Sequence, residues 1–189
     1  MQNELDIRKS VTVWPVSLLL RRFVWQYFCQ PVFWLIPGPW SKVKVALLRV
    51  WGARIGDDVL VRQRVRVLMP WNLELGNVVA IGTGANFYNF ALIKIENQVV
   101  ISQDVFLCTG SHDHEDPTMP LTFKPITVGS CAWIASGAFI APGVAIGAGS
   151  VIGARSVVTK STDEWVVVAG NPARFIRKRV LRPAGGNNG

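Results

Sequence analysis

His112 and His114 are the only imidazoles in the chain, and they stand in the run Gly110-Ser-His-Asp-His-Glu-Asp-Pro117. Imidazole is the side chain that takes up and returns a proton near neutral pH, so histidine acid–base chemistry has this one place to occur. Three uses are open on the residues alone. One is a general base toward a hydroxyl. Another is a metal site that adds nearby carboxylates. The third is a polar loop with no chemistry. A metal site would have to borrow a third histidine from another copy of the chain. The cysteines, Cys29, Cys108 and Cys131, are odd in number and form no Cys-x-x-Cys pair, which reads as reduced thiols. Cys108, close to His112, is the one that could act as a nucleophile. No serine elbow or P-loop is present, and Gly147-Ala-Gly149 reads as a backbone corner.

What positions the histidines is a repeat. Read in sixes from Val128, the chain runs VGSCAW, IASGAF, IAPGVA, IGAGSV, IGARSV, VTKSTD. The first place is always aliphatic (Val128, Ile134, Ile140, Ile146, Ile152, Val158). The fifth is always small or β-branched (Ala132, Ala138, Val144, Ser150, Ser156, Thr162). Earlier stretches keep the frame at Ile55, Val61, Val67, at Leu75, Ile81, Phe87, Ile93, and at Ile95, Ile101, Leu107. The frame slips by two after Leu73 and after Ile93, which reads as small corner insertions. A period of six is neither helical nor simple strand alternation. It belongs to the hexapeptide class of β-solenoid, in which three hexads close one triangular coil and the first-place residues stack inside. A β-sandwich would instead need turn signals every 8–12 residues. Residues 111–127 break the frame with Pro117, Pro120 and Pro125, so the histidines sit on an external loop thrown from a rigid scaffold.

The chain has 189 residues, half of them hydrophobic, which excludes general disorder and suits one main domain. Twenty Lys and Arg against 12 Asp and Glu give a net charge of +8. That favours anionic partners: a phosphorylated cofactor, a membrane surface or nucleic acid. Nucleic acid is set aside, because the basic residues are not interleaved with stacking aromatics in a recognisable domain. Residues 1–54 read as a helical cap over the first coil. One helix spans Ser17–Gln30 and ends at Pro31; a second spans about Pro39 to Trp51 and stops at Gly52. The start lacks the pattern of a secretory signal. The apolar segment Val16–Ile36 is interrupted by Arg21, Arg22, Gln26 and Gln30, so it suits packing or an interfacial position better than a span. Residues 55–170 form the solenoid. Residues 171–189 read as a turn at Asn171-Pro172, a basic helix Ala173–Arg182, and a flexible end, Ala184–Gly189.

Four segments carry a resemblance: PWNLELG (Pro70–Gly76), VVISQDVFLCTGSHDHEDP (Val99–Pro117), AWIASGAFIAPGVAIGAGSVIGARSVVTKS (Ala132–Ser161) and VVAGNPARFIRKR (Val167–Arg179). Through them the chain resembles the hexapeptide-repeat acyltransferases, most closely the sugar O-acetyltransferases of colanic-acid and exopolysaccharide biosynthesis, relatives of galactoside and nodulation-factor acetyltransferases. The resemblance implies a mainly β, left-handed parallel β-helix with an N-terminal helical cap and a short C-terminal helix. It implies acetyl-CoA as donor with no metal, a homotrimer, and a sugar or lipid-linked glycan as acceptor. Apart from the resemblance, the apolar, aromatic and basic residues 1–40 suit either a plain structural cap or a peripheral contact at the inner face of the membrane, the protein being expected in the cytoplasm. The resemblance implies His112 as the base, with Asn89, Asp113 and Trp133 toward the acceptor. Ser136, Ala154, Thr159 and Lys160 would lie along the pantetheine, and Arg174 and Arg177 at its phosphates. Packing, corner or solvated-face roles remain open for Asn89, Trp133, Thr159, Lys160, Arg174 and Arg177. Two features depart from the family pattern: the second imidazole, His114, and Ser161-Thr-Asp-Glu-Trp165 in place of Asp-hydrophobic-Pro-Pro. A metal-dependent lyase or hydratase on the same prism, and a non-catalytic scaffold, are the competing functions.

Overall fold

The computed structural model describes residues 5–10 and 14–182; the expected flexible end, Ala184–Gly189, lies outside them. Three helices precede the solenoid: α1 (Val16–Val24), α2 (Gln30–Leu35) and α3 (Ser41–Val50). The expected stop at Pro31 is corrected, because the helix continues through it. A π-helical segment, Trp25–Cys29, joins α1 to α2, and the Gln30 N–H reaches five residues back to the Trp25 carbonyl. Proline lacks an N–H and crowds the carbonyl four residues before it. A widened turn just ahead supplies the room. The face bearing Trp25, Cys29 and Phe33 packs on the first coil. The Trp25 indole N–H donates to the Val67 carbonyl at 2.6 Å, and that of Trp34 to Val65 at 2.9 Å. The second helix stops as expected, with Gly52 in the left-handed region (φ +96°). No helix among the described residues is long and apolar enough to cross a membrane.

The rest is a parallel β-solenoid. Coil one holds β1 (Arg54–Ile55), β2 (Leu60–Val61) and β3 (Arg66–Val67). Coil two holds β4 (Leu73–Leu75), β5 (Ala80–Ile81) and β6 (Asn86–Tyr88). Coil three holds β7 (Ile93–Ile95), β8 (Val100–Ile101) and β9 (Phe106–Cys108). A hairpin follows, β10 (Gly110–His112) with β11 (Leu121–Phe123). Coil four then holds β12 (Ile126–Val128), β13 (Trp133–Ile134) and β14 (Phe139–Ile140). Coil five holds β15 (Ala145–Ile146), β16 (Val151–Ile152) and β17 (Val157–Val158), and β18 (Val166–Gly170) and β19 (Ala173–Lys178) finish the chain.

Corresponding strands stack into three sheets, the sides of a triangular prism. Side A runs β1-β4-β7-β12-β15, side B runs β2-β5-β8-β13-β16-β18-β19, and side C runs β3-β6-β9-β14-β17. The first-place aliphatics fill the interior: Val61, Ile81, Ile101, Ile134 and Ile152 on side B are at most 1% exposed. Each such side chain gives about 1.5–3 kcal/mol on burial. The frame slips are corrected. They lie within side A, where one strand turns two residues inward: Leu73 with Leu75, Ile93 with Ile95. The early coils therefore step twenty residues, Arg54 on Glu74, and the later ones eighteen, Thr127 on Ala145.

The expected C-terminal helix is also corrected: the segment is strand β19. It runs antiparallel to β18, with Arg174 opposite Ala169 and Lys178 opposite Val166. The last strand of a solenoid offers an unpaired row of N–H and C=O groups. The chain after Asn171-Pro172 doubles back to satisfy them, and pairing outweighs helix propensity. Arg179 secures the return by donating to the Cys131 and Gly149 carbonyls, both at 2.8 Å.

Candidate active site

The hairpin that carries His112 leaves the prism at the corner between sides C and A. Thr109 is buried at its base; its hydroxyl donates to the Tyr88 carbonyl (2.9 Å) and accepts the Ala91 N–H (3.1 Å). Gly110 follows because the strand passes over two rings. A Cβ there would fall 2.9 Å from Phe90 Cδ2 and 3.2 Å from Tyr88 Cε1. The external loop expected over 111–127 begins as a hairpin, β10 paired with β11 and His112 opposite Leu121. Its tip is braced by Asp116, whose carboxylate accepts the Thr118 N–H (2.7 Å) and hydroxyl (2.8 Å). These bonds, the backbone one foremost, hold the Asp116 carboxyl below its ordinary value. The N-terminal segment lies along the ribbon: the Asp6 N–H donates to the Pro117 carbonyl, and Trp14 stacks on Phe90 and Phe123.

The His112 ring is exposed, and its Nδ1 lies 2.7 Å from the Met119 carbonyl oxygen. A carbonyl only accepts, so Nδ1 carries a proton, and in the neutral ring the lone pair then lies on Nε2. This is the tautomer a general base requires, held by the main chain. The same carbonyl accepts the Ser10 hydroxyl at 3.3 Å. Neither neighbouring carboxylate, Asp113 nor Glu115, holds the ring. Asp113 instead accepts the Glu115 N–H at 3.1 Å, closing a local turn. Backbone carbonyls leave no mark in a sequence, so Met119 had no signal to find. His112 opens on a groove of about 430 Å³ lined also by Ser111, Asp113, His114, Lys124 and Pro142. Among the described residues no group of three His, Cys, Asp or Glu could hold a metal ion. Burial pushes the Cys108 thiol up, and its S–H donates to the Gly110 carbonyl. Burial, the larger influence, opposes a role as nucleophile.

The other candidate residues fall into separate places. Asn89 is fully buried. Its Oδ1 accepts the Met69 N–H (2.9 Å), and its Nδ2 donates to the Met69 (2.7 Å) and Asn72 (3.0 Å) carbonyls. It stitches two coils together, which fits the structural role left open for it. Trp133 stands outward on side B with its indole N–H on the Ser102 hydroxyl (2.9 Å). That side lies across the prism from the His112 corner. Ser136 and Ala154 occupy the corner between sides B and C on successive coils, and the Arg155 N–H donates to the Ser136 carbonyl at 2.8 Å. Thr159 and Lys160 follow β17, exposed, on the corner below the hairpin. Lys160 shares a groove of about 420 Å³ with Arg174, and Asp163 also lines it; Arg177 lies beyond it. Among the described residues neither Lys160, Arg174 nor Arg177 is paired with a carboxylate. One chain therefore holds Thr159 and Lys160 on the corner that carries His112, and Ser136 and Ala154 on another.

Comparison with known proteins joins this geometry. Residues 125–160 match the family described as bacterial transferase hexapeptide (six repeats). The chain is 42% identical over 157 residues to a protein of Escherichia coli strain K12 that carries the name colanic acid biosynthesis acetyltransferase WcaF, covering 83% of this chain and 86% of that one. Among solved structures, a galactoside acetyltransferase in complex with coenzyme A superposes with a TM-score of 0.80 at 29% identity, over 91% of this chain and 88% of that one. A maltose O-acetyltransferase from Clostridium difficile 630 does so at 0.75 and 25% identity, over 88% and 90%.

Proposed function

Because the chain belongs to the hexapeptide-repeat acetyltransferases, we propose that it moves an acetyl group from acetyl-CoA to a sugar hydroxyl, with His112 as the general base. The observation that carries this reading is the Met119 carbonyl on Nδ1, which selects, for the neutral ring, the tautomer with its lone pair on Nε2, beside an open groove. In the reaction the acceptor hydroxyl gives its proton to Nε2 as its oxygen attacks the thioester carbonyl. The tetrahedral species expels the coenzyme A thiolate, which recovers the proton from the imidazolium. Such base assistance is worth roughly 10²–10⁴-fold. Holding both substrates in one groove adds to it.

Lys160 and Arg174 suit the anionic end of the coenzyme, and the Ser136–Ala154 corner suits a chain laid along the prism axis. The Ser136–Ala154 corner lies away from His112 within one chain, and a second copy would supply it as the other wall of the groove. The outward residues support that arrangement. Side A is mostly polar (Arg54, Glu74, Lys94, Thr127, then Ala145), side B is apolar (Leu60, Ala80, Val100, Trp133, Val151), and side C is apolar beyond Arg66 and Asn86 of its first two strands (Tyr88, Phe106, Phe139, Val157). On side C, Tyr88, Phe106 and Phe139 form an edge-to-face ladder with centroids 6.1 and 5.4 Å apart. Two apolar sides and one polar side suit a cyclic homotrimer, in which each prism lays side B on its neighbour's side C. The acceptor is a nucleotide-linked or lipid-linked glycan, and the protein works on the cytoplasmic side of the membrane.

Incubating the full chain with acetyl-CoA and a panel of nucleotide sugars and lipid-linked glycans tests the reading by mass spectrometry. The expected product gains one acetyl group that mild base removes. No acetylated product, together with no calorimetric binding of coenzyme A, would refute it.

A further inference from the structure

The outer side of the cap is unpartnered and apolar over its whole length. Leu20, Phe23, Tyr27, Phe28, Val32 and Leu35 are each more than half exposed. They share the face of the α1–α2 helix opposite Trp25 and Phe33, which are buried in the first coil. Three of the rings form a cluster of their own, with Phe23 centroids 4.9 Å from Tyr27 and 5.9 Å from Phe28. Trp40, 61% exposed, stands at the start of α3. A stripe of this extent on a surface helix marks an interaction site.

Charge identifies the occupant. Eleven of the 20 Lys and Arg precede Val67, against four of the 12 acids, so seven of the eight net positive charges sit in the cap and first coil. Exposed Lys42, Arg62, Arg64 and Arg66 belong to this end. A second copy docked through the stripe would bring two such ends together. An anionic surface would instead be attracted to it. We propose that the outer face of the α1–α2 helix is a docking plate for an anionic lipid bilayer. It lies in the interface with its aromatics among the acyl chains and the cationic end toward the headgroups. The plate caps the prism, so docking stands the solenoid axis on the membrane. Asp6, Ser10 and Trp14 touch the His112 hairpin from the same end.

The plate owes nothing to acetyl-transfer chemistry, and its test reads binding alone. The full chain is floated with vesicles of equal parts phosphatidylglycerol and phosphatidylcholine, and with phosphatidylcholine alone. The protein is expected to float with the mixed vesicles at low salt and to partition roughly tenfold less onto the neutral ones. Phe23→Ser with Phe28→Ser is expected to lower partitioning by roughly tenfold or more, with oligomeric mass and melting unchanged. Lys42→Gln with Arg62→Gln, exposed changes that leave the helix intact, should weaken the mixed-vesicle binding and its salt dependence. No flotation with mixed vesicles, equal flotation of wild type and the Phe variant, or a fall in oligomeric mass in that variant would overturn the proposal. The last of these would assign the stripe to a second copy.

Discussion

Asn89→Ala separates a ligand from a structural residue. The wild-type amide makes three hydrogen bonds, two of them to the main chain of Met69, a residue 1% exposed. Truncation strands the Met69 N–H and C=O without water. Each buried group left unpaired costs about 1–3 kcal/mol, so the expected loss is about 3–5 kcal/mol with a small void added. Asn89→Asp keeps the acceptor for the Met69 N–H but turns an oxygen toward two carbonyls. Its carboxyl is then easier to protonate in the folded state than in the unfolded one. Protonation restores one donor, so this variant should regain stability as pH falls. Denaturation followed by circular dichroism at fixed protein concentration measures both effects. The KM for the acceptor, taken below the melting transition, should match wild type. Unchanged stability with a raised acceptor KM would refute the structural assignment and restore Asn89 to the site.

Three further outcomes follow from particular residues. Burial lowers the Lys44 pKa, and its ammonium has one partner, the Arg62 carbonyl at 2.8 Å. With the folded value below the unfolded one, wild-type stability should rise with pH across the interval up to about 10.4. Lys44→Met should abolish that slope and add about 1 kcal/mol at pH 7, read from melts across pH. Val78 is β-branched at φ +58° and half exposed. Val78→Asn should stabilise by about 1 kcal/mol in thermal melts, since left-handed backbone costs L-residues about 1–2 kcal/mol. Arg174→Ala should raise the KM for acetyl-CoA roughly tenfold and leave kcat alone in steady-state kinetics.

The solenoid was legible because its core is one-dimensional. The same inward place recurs every sixth residue, so Val128 to Val158 announces the fold without long-range information. The frame slips and the end of the chain were not legible for the opposite reason. Whether two extra residues bend a corner or lengthen side A, and whether Ala173–Lys178 is helix or strand, depends on which edge lies alongside. The helix through Pro31 turned on a π-helical turn that no residue type announces. At the site, the loop was legible by its two imidazoles, and the resemblance singled out His112. Its orienter is a carbonyl and could not be found that way. Asn89 shows the limit of residue-by-residue transfer: an amide that could face a ligand faces the neighbouring coil.

The kcat of His112→Ala, measured with acetyl-CoA and an accepted sugar, bears most directly on the base assignment. With Nε2 as the base, kcat should fall about 10²–10⁴-fold, while oligomeric mass and coenzyme A affinity stay at wild-type values. Turnover near the wild-type rate would contradict it and leave the Met119-held imidazole without a chemical role.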